Sequence, residues 1–163
     1  MDFKRTKMKG HRAPWFTDCR KYFPVLLLLG AGFMTRAQDM QLTAIGNVTG
    51  VPSAMKSSEL LSVLKGEKQR WSDGTKVTIY IMKTTTPVGQ STCKKIYNWS
   101  GDKVKRYWLE LAFSGKADAP TFCNTVEELE SYVSQNPGAI GIVDRNSTSN
   151  GVKMILIDGK NPF

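Results

Sequence analysis

The chain is poor in the residues that most enzymes work with. It has one histidine, three cysteines and no apolar run long enough to span a membrane. The longest nearly apolar stretch, Phe23 to Met34, has 12 residues, whereas a spanning helix needs about 20. The histidine, His11, and one cysteine, Cys19, both fall in the first 37 residues, which read as a leader. Without that leader the chain has no histidine. This excludes Ser-His-Asp and Cys-His nucleophile pairs, histidine general bases and histidine metal ligands. Cys93 and Cys123 remain, thirty residues apart and without the CxxC spacing of a redox or metal site. A disulfide in an oxidising compartment and two buried free thiols are both open at this point. The sequence also lacks internal repeats and low-complexity tracts.

Net charge is +9, from 23 basic and 14 acidic residues. Most of the excess lies in the first 37 residues, which carry eight basic and two acidic side chains. The rest has 15 basic and 12 acidic residues, net +3. The sign is mixed along it, as where Lys103, Lys105 and Arg106 neighbour Asp102 and Glu110. A nucleic-acid partner is therefore not expected. Basic residues up to Lys21, the apolar stretch Phe23 to Met34 and the small residue Ala37 follow the order of a secretory signal. Export to a periplasmic or extracellular location with cleavage before Gln38 is expected, an uncleaved membrane anchor being the alternative. Residues 1–37 are then a signal peptide, and 38–163 form one domain with enough chain for a core.

That domain is organised around Thr125 to Asp144. Thr125 and Glu128 have capping-box spacing, and Val126, Leu129 and Val133 share a helical face with Tyr132 beside them. Asn136-Pro137-Gly138 ends the helix, and Ala139 to Val143 is a buried strand whose small residues admit close packing. Helix turning sharply into strand is an α/β unit. Further strands are predicted at Leu42 to Gly46, Val77 to Met82 and Val152 to Ile157. Helices are predicted at Glu59 to Leu64 behind Ser57 or Ser58, at Gln90 to Trp99, and at Lys103 to Phe113 capped by Asp102. Lys116 to Asn124 reads as a loop. The order is β-α-β-α-α-α-β-β, and the fold class is α/β with a mixed sheet flanked by helices.

The site candidate is the loop Lys83-Thr84-Thr85-Thr86-Pro87-Val88-Gly89, which leaves a strand and enters a helix. Free backbone N–H groups and the positive end of a helix dipole suit an anion there. Lys83 would supply charge, and Thr84, Thr85 and Thr86 hydroxyl donors, with Gly89 completing the turn. Ligands of open α/β sheets gather at the carboxyl ends of strands. Trp71 reads as a packing residue, and Glu127, Glu128 and Glu130 as a solvated helix start rather than a catalytic pair. Asn47-Val48-Thr49 and Asn146-Ser147-Thr148 fit the glycosylation acceptor pattern, which matters only in a eukaryotic host.

Ser58-Glu59-Leu60 through Leu64-Lys65-Gly66 and Trp71, Trp108 to Gly115, and Pro137-Gly138-Ala139-Ile140-Gly141 together resemble bacterial phosphate-binding proteins of ABC uptake systems. The similarity runs from about Leu42 to Ile157 and is greatest to short exported members with one lobe's worth of sequence. It implies a periplasmic-binding-protein-like single lobe and transport without catalysis. No catalytic residue, metal or cofactor is implied. Full-length members close two lobes over the anion, and this chain resembles the second. They carry an arginine and an Asp-Gly-Ser-Gly-Thr loop after the equivalent strand. Here that loop keeps a basic residue and hydroxyls but has neither the arginine nor the aspartate. Two tasks stay open. One is binding of phosphate or another small oxyanion, with a membrane transporter as partner and dimerisation as a source of the second wall. The other is a single-lobe interaction module that contacts an envelope protein.

Overall fold

The long apolar runs form the middle of one sheet. In the computed structural model, which describes residues 40–147 and 149–163, β1 (Thr43–Asn47) and β5 (Ala139–Val143) are buried along their whole length. The predicted leader lies outside the described residues, as does Thr148 of the second acceptor pattern. Beside these two strands stand β3 (Thr78–Met82) and β6 (Val152–Ile157). The four predicted strands thus share a sheet. Two short strands complete it, β2 (Ala54–Met55) and β4 (Thr121–Cys123), in the order β2-β6-β1-β5-β3-β4. β1 is antiparallel to both β5 and β6, whereas β3 is parallel to β4 and β5. The carboxyl ends of β3, β4 and β5 therefore lie on one edge of the sheet.

Four α-helices carry the connections: α1 (Ser57–Leu64), α2 (Pro87–Thr92), α3 (Gly101–Phe113) and α4 (Val126–Gln135). α4 packs on β1, β3 and β5 through Leu129 and Val133, both fully buried. A Cβ on Gly141 would stand 2.5 Å from Leu129 Cδ2, so the small residue in β5 is what admits the helix. Thr125 caps α4, its Oγ1 accepting from Glu128 N at 3.2 Å. The reciprocal bond falls one residue early, with Glu128 Oε2 accepting from Asn124 N at 2.7 Å.

Several helix starts differ from expectation. α2 begins at Pro87 rather than Gln90, because proline suits the first helical position, where no N–H is needed. The chain continues from it as a π-helical segment, Cys93–Tyr97, stopped by Asn98 at φ 54°. α3 is capped by Ser100, not Asp102, with Ser100 Oγ accepting from Lys103 N at 3.3 Å. Asp102 instead sits in the first turn, where the dipole favours it. α1 starts without a side-chain cap from its own N-cap residue, Lys56. Asp158 Oδ1, far along the chain, accepts from Ser57 N at 3.2 Å. The segment read as the loop Lys116 to Asn124 contains β4.

Trp71 is a packing residue: it is buried and its Nε1 donates to Gly138 O at 2.8 Å. Glu130 is not a solvated helix-start residue. It is buried, accepts from Ser149 Oγ at 2.8 Å and stands 3.7 Å from Arg145 Nε. Glu127 pairs with Arg145 Nη2 at 2.8 Å. Cys93 and Cys123 are both free and buried, and burial pushes both thiols up, Cys123 to about 11.

Candidate anion-binding site

β3 delivers the chain to the sheet edge at Lys83, whose N–H still belongs to the ladder, donating to Cys123 O at 2.9 Å. The next residues turn into α2. Thr86 N and Thr86 Oγ1 both donate to Lys83 O, at 2.9 and 2.8 Å. Thr86 Oγ1 also accepts from Gly89 N at 3.1 Å, which makes it the N-cap of α2. Its only hydroxyl proton is therefore used inside the turn. Gly89 has a packing role as well: a Cβ there would lie 2.0 Å from Lys83 O and 2.8 Å from Met82 O. Thr86 and Gly89 shape the joint between β3 and α2, and the donors left for a ligand come from Lys83, Thr84 and Thr85.

These three residues line a cleft of about 420 Å³, within the usual range of small-molecule pockets. Its other walls are Lys105, Trp108 and Leu109 from α3, Ala119 from the following loop and Phe122 from β4. Thr84 is 8% exposed and its side chain sits over Gly101 at the start of α3. Among the described residues, Thr84 N, Thr85 N and Val88 N make no hydrogen bond. Lys83 has no ion pair among the described residues, while Lys105 Nζ stands 3.7 Å from Asp102 Oδ1 at the surface. The carboxyl of Glu128 is held below its ordinary value, first by the bond from Asn124 N and last by the charge of Lys83. The cleft is thus a largely hydrocarbon trough lined by two cations, Lys83 after β3 and Lys105 on α3, with unpaired amides at its β3 end.

Trp108, which lines the cleft, belongs to an aromatic cluster. Trp108 is 1% exposed and stands edge-on to Tyr107, with centroids 5.8 Å apart. Its Nε1 donates to Tyr97 Oη at 3.3 Å, and Tyr97 Oη donates to Leu64 O at 2.5 Å. Desolvation pushes the Tyr97 phenol well above its ordinary range, so it remains a hydrogen-bond donor. Trp99, which the helix pattern did not single out, carries Lys103 Nζ 4.5 Å above its ring. Lys105 and Leu109 were also missed as cleft residues. Their place on the exposed side of α3 is visible from its period, but the turn of that side toward the β3 loop is not.

No protein-family model matches the chain, and no curated protein matches it in sequence. Solved structures do match it in fold. One is an ABC-type phosphate transport receptor from Vibrio cholerae, with TM-score 0.59 and 14% identity over 76% of this chain and 48% of that one. Another is PstS from Borrelia burgdorferi, with TM-score 0.56 and 16% identity over 76% of this chain and 49% of that one. The mixed α/β fold is periplasmic-binding-protein-like, and the chain spans about half the length of each of these two structures.

The capping role of Thr86 has a measurable consequence. Thr86→Ala should lower stability in urea by about 1 kcal/mol, the usual worth of a threonine N-cap, and Thr86→Ser should restore most of it. An unchanged urea midpoint in Thr86→Ala would show that the hydroxyl does not cap α2.

Proposed function

We propose that this chain is an exported solute-binding lobe that receives the anionic group of a small solute at Lys83 to Thr85 and serves an ABC-type uptake system. The observation that carries the reading is the cleft. The loop singled out by its chemistry opens on it, at the carboxyl end of a strand shared with two parallel neighbours. The named neighbours are a phosphate transport receptor and PstS, which supports an oxyanion such as phosphate as the ligand class. The first is named for transport rather than catalysis, which supports a non-enzymatic role. Their fold also supports the exported location that the order of residues 1–37 suggests.

A water-exposed site in one lobe realises only part of the 1.5–3 kcal/mol of a charge-assisted hydrogen bond. Binding of phosphate or sulfate is expected between about millimolar and tens of micromolar, roughly −4 to −7 kcal/mol. Calorimetric titration at low salt should show it, with about tenfold weaker binding in Lys83→Ala. Binding should also weaken as the ionic strength passes about 0.1 M, where the screening length falls to about 10 Å. Equal affinity in the Lys83→Ala protein would remove the lysine from the site.

One observation favours dimerisation as the source of a second wall. Leu109, which lines the cleft, and Phe113, one turn further along α3, are 55% and 89% exposed. A second copy of the chain over these two residues would close the trough. Sedimentation of the wild type against Phe113→Ser tests it, and a monomer at all accessible concentrations would dismiss a dimer.

A further inference from the structure

We infer that the solute is an organic anion with an apolar body, of the medium-chain or aryl carboxylate class, rather than a bare inorganic oxyanion. This deepens the solute-binding reading and rests on it. The reason is the make-up of the cleft. Its β3 end offers Lys83 with the unpaired amides of Thr84 and Thr85, and Lys105 lies across it. The remaining walls, Trp108, Leu109, Ala119 and Phe122, present hydrocarbon.

A phosphate ion has an acceptor oxygen on every side and is strongly hydrated. Placed here, the oxygens turned toward the hydrocarbon walls would lose water without gaining a donor, which is unfavourable. The loop also has no carboxylate to accept a bond from a protonated phosphate: Lys83 to Gly89 contains none. A carboxylate needs donors at one end only, and its chain gains by covering the apolar walls. The cleft, about 420 Å³, is far larger than a five-atom ion requires. It is in the range of pockets that enclose whole organic ligands. Two lysines among the lining residues of an apolar trough suit a ligand with a single anionic head. Lys105 stands 3.7 Å from Asp102 Oδ1 at the surface, whereas Lys83 has no ion pair among the described residues.

The test is a titration of the full chain with a homologous series: acetate, butanoate, hexanoate and octanoate, each below micelle formation. Inorganic phosphate and hexylamine are run beside it. Amide and side-chain NMR shifts are read at Thr84, Thr85, Leu109 and Phe122. Affinity is expected to rise between two- and fourfold per added methylene, as partial burial of each CH₂ implies. Ala119→Trp, at an exposed position, should block the trough and abolish binding. Leu109→Asp, also exposed, should flatten the chain-length trend. Hexylamine should bind at least tenfold more weakly than hexanoate. Phosphate binding at Lys83 to Thr85 with no chain-length trend would overturn the inference and leave the solute-binding reading intact. A trend that survives Ala119→Trp, or hexylamine matching hexanoate, would overturn the inference as non-specific partition. No shift at Thr84 or Thr85 with any anion would overturn both readings.

Discussion

Trp108→Ala is expected to cost about 3–5 kcal/mol, the range for deleting a fully buried aromatic side chain. That is a large part of the 5–15 kcal/mol that holds a typical domain together. Three losses combine. The indole is 1% exposed, so a cavity opens under the cleft. The edge-on contact with Tyr107 disappears. The bond from Nε1 to Tyr97 Oη goes as well, although Tyr97 keeps Leu64 O as its acceptor. Because that acceptor remains, Trp108→Phe should be much milder, near the 1 kcal/mol of an ordinary hydrogen bond plus a smaller packing loss. Urea unfolding of the three proteins checks the order. Equal losses for alanine and phenylalanine would mean that the hydrogen bond, not the packed volume, is what matters there.

Gly89→Ala is the second large effect, and here two principles oppose each other. Alanine is the better helix former by about 1 kcal/mol, so propensity alone predicts stabilisation. Against it stands a Cβ 2.0 Å from Lys83 O, 2.7 Å from Lys83 C and 2.8 Å from Met82 O. All three neighbours are backbone, so no rotamer change can relieve the overlap. Overpacking of this kind usually costs 1–3 kcal/mol, and rigid backbone on both sides places this case at the upper end. A net loss of about 2 kcal/mol is expected. The relief available is a shift of α2 away from β3, which would displace Thr84 and Thr85 from the cleft. Weaker anion binding should therefore accompany the lost stability. A Gly89→Ala protein more stable than wild type would show that the strand and helix do not meet this closely.

The long apolar strands were legible because a buried strand of five or six residues must be written as a β-branched or aliphatic run. β2 and β4 were not, since two and three residues are too few to show a period. Their pairing comes from neighbours that lie far off in sequence, β6 for one and β3 for the other. Helix bodies were legible from their apolar faces, and two of their starts were misplaced for a common reason. Pro87 and Ser100 each serve as a stop signal or a start signal, depending on which side the helix lies. In both cases the chain uses them as starts.

The candidate loop was legible as chemistry, a lysine and three threonines after a strand. Its division of labour was not. Only the turn geometry shows that Thr86 is occupied with Lys83 O and Gly89 N. Lys105 and Phe122 reach the same cleft from α3 and β4, and no spacing rule links them to Lys83. Glu130 shows the same limit. In the sequence it is one of three neighbouring glutamates, yet tertiary contacts with Ser149 and Arg145 draw it inside.

The most direct test of the account is an amide NMR titration with acetate and with phosphate at low salt, in the wild type and in Lys83→Ala. The account predicts saturable shifts centred on Thr84, Thr85 and Val88, whose N–H groups have no partner among the described residues, and markedly reduced shifts in Lys83→Ala. Flat amides at residues 83–88 at several millimolar of both anions, or shifts of equal size with and without the lysine, would contradict it.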